Sequence, residues 1–281
     1  MADDLSLTPK MTFKEAAEAF IEIKRIQRTS PRTLKDYRQY QKILGEFFDP
    51  VPLQQLTLEH FRAYQRDRKA GATRINHELS FVTMLLKEAG CWEKLREKYK
   101  PLPVRKSTIG QALSDEDQKH LLEIAFTRKR WLVAACCATI SAFTGVMENE
   151  LLNLRRKDVD LKRRLLFVRE GTKNDFRVAE VELNDSCLKA ATKLVELFQE
   201  RGGRNLNDYL IPHNSSGKKD EYDFTRHAYG FRRAWIEIRK AAGFPQLRYY
   251  DLRHTFLSRV AQNPDVSEAT LQSLARHASI K

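Results

Sequence analysis

Residues 249–281 read YYDLRHTFLSRVAQNPDVSEATLQSLARHASIK, and the rest of the chain is understood outward from this stretch. Its spacing predicts two helices, one starting near Asp251 and one over about Ser267 to Arg276. Tyr250 and Arg253 are three positions apart and share a face at the start of the first helix, while the second carries His277 back toward them. An arginine held beside a neutral imidazole donor suits one task, which is gripping the non-bridging oxygens of a phosphate as charge builds on them. Each residue alone also has a plainer reading, because a lone Arg or His on a helix is more often a solvated or structural side chain.

Composition narrows the class of partner. The chain has 281 residues and 42% hydrophobic content, enough for real cores in one large domain or two ordinary ones. Its 50 Lys and Arg against 37 Asp and Glu give a formal charge of +13, which favours a polyanionic partner, nucleic acid first. No apolar run approaches the ~18 residues of a membrane span. The start MADDLSLTPK lacks the basic and apolar regions of a secretion signal, so a cytoplasmic protein without a membrane partner is expected. Cys91, Cys136, Cys137 and Cys187 show no metal-ligand spacing and sit mostly in apolar surroundings, which reads as reduced, structural thiols and no metal site.

The first hundred residues predict a small helical bundle. Thr12 and Glu15 form a capping box ahead of an apolar face of Phe13, Ala16, Ala17, Phe20 and Ile21. Ser30-Pro31 opens a second helix, Thr57 a third that ends near Gly71, and Ala72 to Ala89 makes a fourth that stops at Gly90. Arg32, Thr33, Lys35, Arg38, Arg62, Arg66, Arg74 and Asn76 recur on these helices. Guanidinium and ammonium groups contact phosphate, whereas hydroxyls and amides read base edges, so a DNA-facing surface is one reading. A solvated helix face is the other.

Residues 101–112 change character, with prolines, a glycine and basic residues in a stretch without helical period, and read as a basic linker. Such a linker can lie across a phosphate backbone, and a solvated hinge fits equally. Domains are expected at 1–100 and 113–281 on either side of it. Ser114 caps a new helix whose first turn carries Asp115, Glu116 and Asp117. The run WLVAACCATISAFTG from Trp131 is apolar on nearly every side and predicts a buried central helix.

The segment Ala142 to Leu161, AFTGVMENELLNLRRKDVDL, makes a resemblance specific. Thr144-Gly145 leading into Glu150-Leu151-Leu152, the strand LLFVRE followed by a hairpin around Lys173, Tyr250-Asp251-Leu252-Arg253-His254-Thr255-Phe256, and Leu274-Ala275-Arg276-His277 follow the order and approximate spacing of the tyrosine recombinases, or phage integrases. The first hundred residues, with Ser30-Pro31-Arg32-Thr33-Leu34 and Ile75-Asn76-His77-Glu78-Leu79, resemble the same family's core-binding domain. The resemblance implies a mainly α fold with a small antiparallel β-sheet: an N-terminal helical, SAM-like core-binding domain and a mixed α/β catalytic domain. It also implies duplex DNA as partner, other recombinase subunits on that DNA, and a site-specific strand breakage and rejoining through a 3′-phosphotyrosine that uses no cofactor.

By the same resemblance, Arg253 is the second arginine of the site and clamps the phosphate in bidentate fashion. Lys173 protonates the leaving 5′ oxygen as general acid, with a solvated hairpin lysine as its plain alternative. His277 donates to a phosphate oxygen. Tyr250 stands where the family most often has histidine and is read either as a phosphate donor or as a packing tyrosine. The base-reading and phosphate contacts of the first domain fall to Arg32, Thr33, Lys35, Arg38, Arg74 and Asn76.

Two positions depart from the pattern. The first arginine is expected at 147, where the chain has Met147, whose thioether has no charge and no donor. Loss of an arginine that stabilises a phosphoryl transition state costs on the order of 10³ to 10⁵ in rate. Glu150, whose implied role is to hold that arginine, is then expected to lack its partner, and nothing in the sequence says that Arg155 or Arg156 reaches back. The nucleophilic tyrosine is expected about nine residues past His277, some two and a half helical turns, and lies outside these 281 residues. On this reading the chain clamps duplex DNA without completing strand cleavage, and a non-catalytic DNA-binding regulator on the same scaffold is the alternative.

Overall fold

Thr12 starts the first helix as its pattern requires: its hydroxyl accepts from the Glu15 N–H, and the Glu15 carboxylate accepts from the Thr12 N–H. The computed structural model describes residues 6–104, 110, 112–170, 178–214 and 221–276. It divides into two compact units, Met1–Ser107 and Thr108–Lys281.

The first unit is helical. Helix α1 (Phe13–Ile26), α2 (Pro31–Phe48), α3 (Leu58–Asp67) and α4 (Ala72–Glu88) are followed by the single turn α5 (Glu93–Arg96). Ser30 caps α2 by accepting from the Thr33 N–H, and Pro31 fills the first helical position, where no donor is needed. The apolar faces meet around Phe81 of α4, whose ring lies 5.9 Å from Phe20, 5.2 Å from Tyr37 and 6.4 Å from Phe13. Fully burying a side chain of this size contributes about 1.5–3 kcal/mol, so this aromatic cluster is a substantial part of the unit's core.

The second unit is built on α7 (Leu132–Thr144), which is buried nearly all round, as its uniform apolarity predicts. It packs most extensively against α9 (Asp185–Glu200) and α11 (Asp251–Gln262), with α6 (Asp115–Ala125) alongside. Burial pushes the thiols of Cys136 and Cys187 up to about 12 and that of Cys137 well above the ordinary range. They are core side chains rather than reactive ones. After α8 (Glu148–Leu152), the strands β1 (Val159–Asp160), β2 (Leu165–Val168) and β3 (Ala179–Glu182) form an antiparallel sheet in sequence order, with Leu165 opposite Glu182 and Val168 opposite Ala179.

A second antiparallel pair, β4 (Pro212–Asn214) with β5 (Tyr222–His227), was not foreseen by the sequence reading. Helices α10 (Arg232–Ala241) and α12 (Glu268–Ala275) complete the unit. The fold is thus mainly α with small antiparallel sheets.

The stretch 101–112 proves partly docked at both ends. On the first unit, the Asn76 amide donates to the Leu102 carbonyl at 2.8 Å and accepts from the Leu102 N–H at 2.9 Å. On the second, Gly110 lies so close to Asp251, Arg248 and His254 that a Cβ there would come within 2.6 Å of the Asp251 carboxylate, which explains a glycine at that position. The Leu113 N–H donates to the Thr255 hydroxyl at 3.0 Å. No helix among the described residues is long and apolar enough to cross a membrane.

Candidate functional site

The start of α11 is locked before its side chains are aimed. The Asp251 carboxylate, 3% exposed, accepts from the Arg248 N–H at 2.8 Å and from the Arg248 guanidinium at 2.7 Å. Two residues on, Arg253 is among the most buried large side chains of the protein, at 2% exposure. Its Nη1 donates to the Gly145 carbonyl at 2.6 Å and its Nη2 to the Ala275 carbonyl. One guanidinium thus ties the end of α7 to the end of α12.

Gly145 is glycine for a reason. It ends α7 in the left-handed region at φ +67°, and a Cβ there would lie 2.8 Å from the Phe256 ring. The turn aims its carbonyl at two arginines, because Arg276 also donates to it, through Nη2 at 3.1 Å. The same Nη2 lies 2.9 Å from Oε2 of Glu150, which is 1% exposed. That oxygen in turn accepts from the Met147 N–H at 2.8 Å. The expectation that Glu150 lacks a partner is therefore corrected: a different arginine, from the far end of the chain, pairs with it.

Arg155 and Arg156 do not serve there. Arg155 pairs with Glu170, stacks 4.4 Å from the Tyr209 ring and donates to the Asn207 carbonyl, and Arg156 donates to the Val159 carbonyl. Tyr250 is 39% exposed and packs edge-on against His254 at 4.8 Å. Its neighbour Tyr249 is a packing residue, wedged against Phe231 and Trp235 with its hydroxyl 2.7 Å from that of Ser141. Burial lifts its phenol well above the ordinary tyrosine range. Lys173 and His277 lie outside the described residues.

Met147, Tyr250 and Arg253 line one groove of about 1350 Å³. Seven arginines line it among the described residues, against two glutamates, Glu148 and Glu237, so the groove suits an anion. Arg130 is paired with Glu237 at 2.7 Å, whereas Arg232, Arg233 and Arg248 are exposed at its edge. Burial raises the Glu148 carboxyl against the opposing effects of the Phe231 backbone and Arg232. The Glu237 carboxyl is held below its ordinary range, chiefly by the hydrogen bond from Trp131 and then by Arg130 and Arg128. No group of three or more His, Cys, Asp or Glu among the described residues is arranged to hold a metal ion.

In the first unit the six candidate contacts divide. Arg32, Lys35 and Arg38 are exposed on α2, and Thr33 is bonded to the capping Ser30 at 2.9 Å. Arg74 instead donates to the buried Glu78 at 2.7 Å and lies over the Tyr40 ring, and the Asn76 amide is engaged with Leu102. Sequence reasoning overlooked Arg276. The available signal was an arginine directly before His277 in a chain whose Glu150 had lost its expected partner at 147.

Residues 111–281 match the model of the phage integrase family. The integrase of Salmonella phage P22 is 24% identical over 217 residues, covering 75% of this chain and 52% of that protein, so the chain spans about half the length of that relative. The Tn1549 transposon integrase, in complex with circular intermediate DNA, superposes with a TM-score of 0.75 at 15% identity over 96% of this chain and 93% of that one. A lambda integrase dimer bound to a core site gives 0.65 at 16% identity over 96% of each. At such identities these structures establish a shared fold.

Proposed function

The chain belongs to the phage integrase family, and from that premise we propose that it is a site-specific DNA recombinase that grips duplex DNA and presents Arg253 to one phosphodiester. The observation that carries this reading is the state of Arg253. A guanidinium buried to 2% exposure, anchored by the carbonyls of Gly145 and Ala275 and lining a groove with six other arginines, is a donor set in place before any anion arrives. Fixed donors of this kind stabilise charge that develops on phosphate oxygens without reorganising.

Lys173 as general acid and His277 as a further donor complete the reading on the strength of the resemblance. Tyr250, exposed at the same groove, has room to donate to a phosphate oxygen. Arg32, Lys35 and Arg38, exposed along α2, supply phosphate contacts from the first unit. By extension from the DNA-bound relatives, duplex DNA is the partner and further subunits assemble on it; a cytoplasmic site of action follows from that partner. The regulator alternative leans on Met147 and finds no support in the anchored Arg253.

The test is a duplex DNA titration across salt concentrations, with duplex RNA as competitor. Several phosphate contacts make affinity fall steeply, by about 10³ or more between 50 and 200 mM salt for six or more contacts, and RNA should compete poorly. A flat salt response, or preference for RNA, would sink the proposal.

A further inference from the structure

Position 147 lies beside the Glu150 carboxylate: the Met147 N–H donates to Glu150 Oε2 at 2.8 Å, which puts the Cα of residue 147 about 4 Å from that oxygen. A side chain as long as arginine, rooted there, would reach the carboxylate. Methionine brings it no charge. Arg276 reaches the same oxygen from the other side, at 2.9 Å, and shares the Gly145 carbonyl with Arg253.

A second observation is independent of these contacts. Arg276 ends α12 in the left-handed region, at φ +49° and ψ +46°, which L side chains seldom adopt and glycine adopts freely. A long, charged residue is thus held in a strained backbone position and buried to 6% exposure. Helices often end in this conformation, and Arg28 and Arg164 share it while being exposed, so it is the burial of the guanidinium that sets Arg276 apart.

We propose that Arg276 supplies from the C-terminal helix the guanidinium that position 147 lacks. It neutralises Glu150, holds the Gly145 turn, and through that shared carbonyl fixes the orientation of Arg253, so it is a positioning residue for the phosphate site. The inference deepens the reading given above and rests on it for the role of Arg253 and for the arginine expected at 147, whereas the contacts of Arg276 with Glu150 and Gly145 stand on geometry.

Relocation of the charge tests this. Arg276→Gly removes the guanidinium while relieving the backbone, and is expected to lower the melting temperature by roughly 10 °C, as for loss of one partner of a buried ion pair. It should also weaken duplex DNA binding about tenfold. Met147→Arg added to Arg276→Gly should recover at least half of each loss, whereas Met147→Arg alone, with two guanidiniums competing for Glu150, should gain nothing. Recovery of stability alone would report the shared Glu150 pairing, and recovery of duplex binding with it reports the hold on Arg253.

If Arg276→Gly alters neither property, or if the double variant recovers neither while Arg276→Lys keeps both, the proposal is overturned. Should Arg276→Gly fail to fold, a folded double variant supports the exchange and an unfolded one refutes it. If the wild-type protein binds no duplex DNA, the functional reading has failed, and the melting temperatures still judge the exchange.

Discussion

Glu78 lies fully buried on α4, held by the Tyr64 hydroxyl at 2.7 Å, by two Arg68 nitrogens at 3.1 Å and by Arg74 at 2.7 Å. Burial alone would raise its pKa, but the hydrogen bonds from Arg68, Arg74 and Tyr64 outweigh it and leave the carboxyl below the ordinary value of 4.5. A carboxyl whose folded value lies below its unfolded one contributes stability that is complete above the unfolded value and is lost as pH falls through the folded one. The resistance of the first unit to urea should therefore weaken from about pH 4.5 downward. Glu78→Gln should remove most of that dependence and cost roughly 1–3 kcal/mol, a modest figure because Arg68 and Arg74 keep part of their solvent. A pH profile unchanged in the variant would show that other carboxyls dominate. The same contacts explain why Arg74, which looks free on a basic helix face, is used inside the unit.

At the level of elements, α7 matters through its ends as much as through its buried middle. Its C-terminal turn at Gly145 presents the carbonyl that both Arg253 and Arg276 hold. Gly145→Ala places a Cβ at φ +67° and 2.8 Å from Phe256, so it combines backbone strain of about 1–2 kcal/mol with a displaced turn. Gly243→Ala is the matched control, since Gly243 has φ +84° with nothing within 4 Å of the added carbon. Both variants should lose thermal stability, and only Gly145→Ala should also weaken duplex binding. Equal binding by the two would mean that the turn does not set Arg253. The helix itself was legible in the sequence, because a run apolar on every side has nowhere to go but the core. What its last carbonyl holds was not.

Over the whole molecule, two cores account for the two units. One gathers Phe13, Phe20, Phe48, Phe61 and Phe81, and the other gathers α7 with Leu194, Phe198, Trp235 and Leu252. A fragment of residues 6–104, which carries the whole of the first core and the Asn76–Leu102 tie, is expected to fold alone and to unfold in one cooperative urea transition. A gradual, non-cooperative loss of helical signal would show that the first core is insufficient. The formal charge of +13 acts at this scale too, through the salt dependence of duplex binding rather than through the fold.

What the sequence determined by itself is local in origin. Capping by Thr12, Ser30 and Ser114, the helical period of α1 and α4 and the burial of α7 were all readable, because each depends on residues a few positions apart or on a uniformly apolar run. The order of motifs from Thr144-Gly145 to Arg253 was readable for the same reason: each motif is short. Only the tertiary structure decided which buried charge meets which. Glu150 and Arg276 are 126 positions apart, Arg253 and Gly145 are 108 apart, and the Asn76 amide bonds to a backbone 26 residues away. A buried ion must find its partner in space, where chain separation sets no rule. Glu150, expected to pair with a residue three positions away, is therefore paired with one from the other end of the chain.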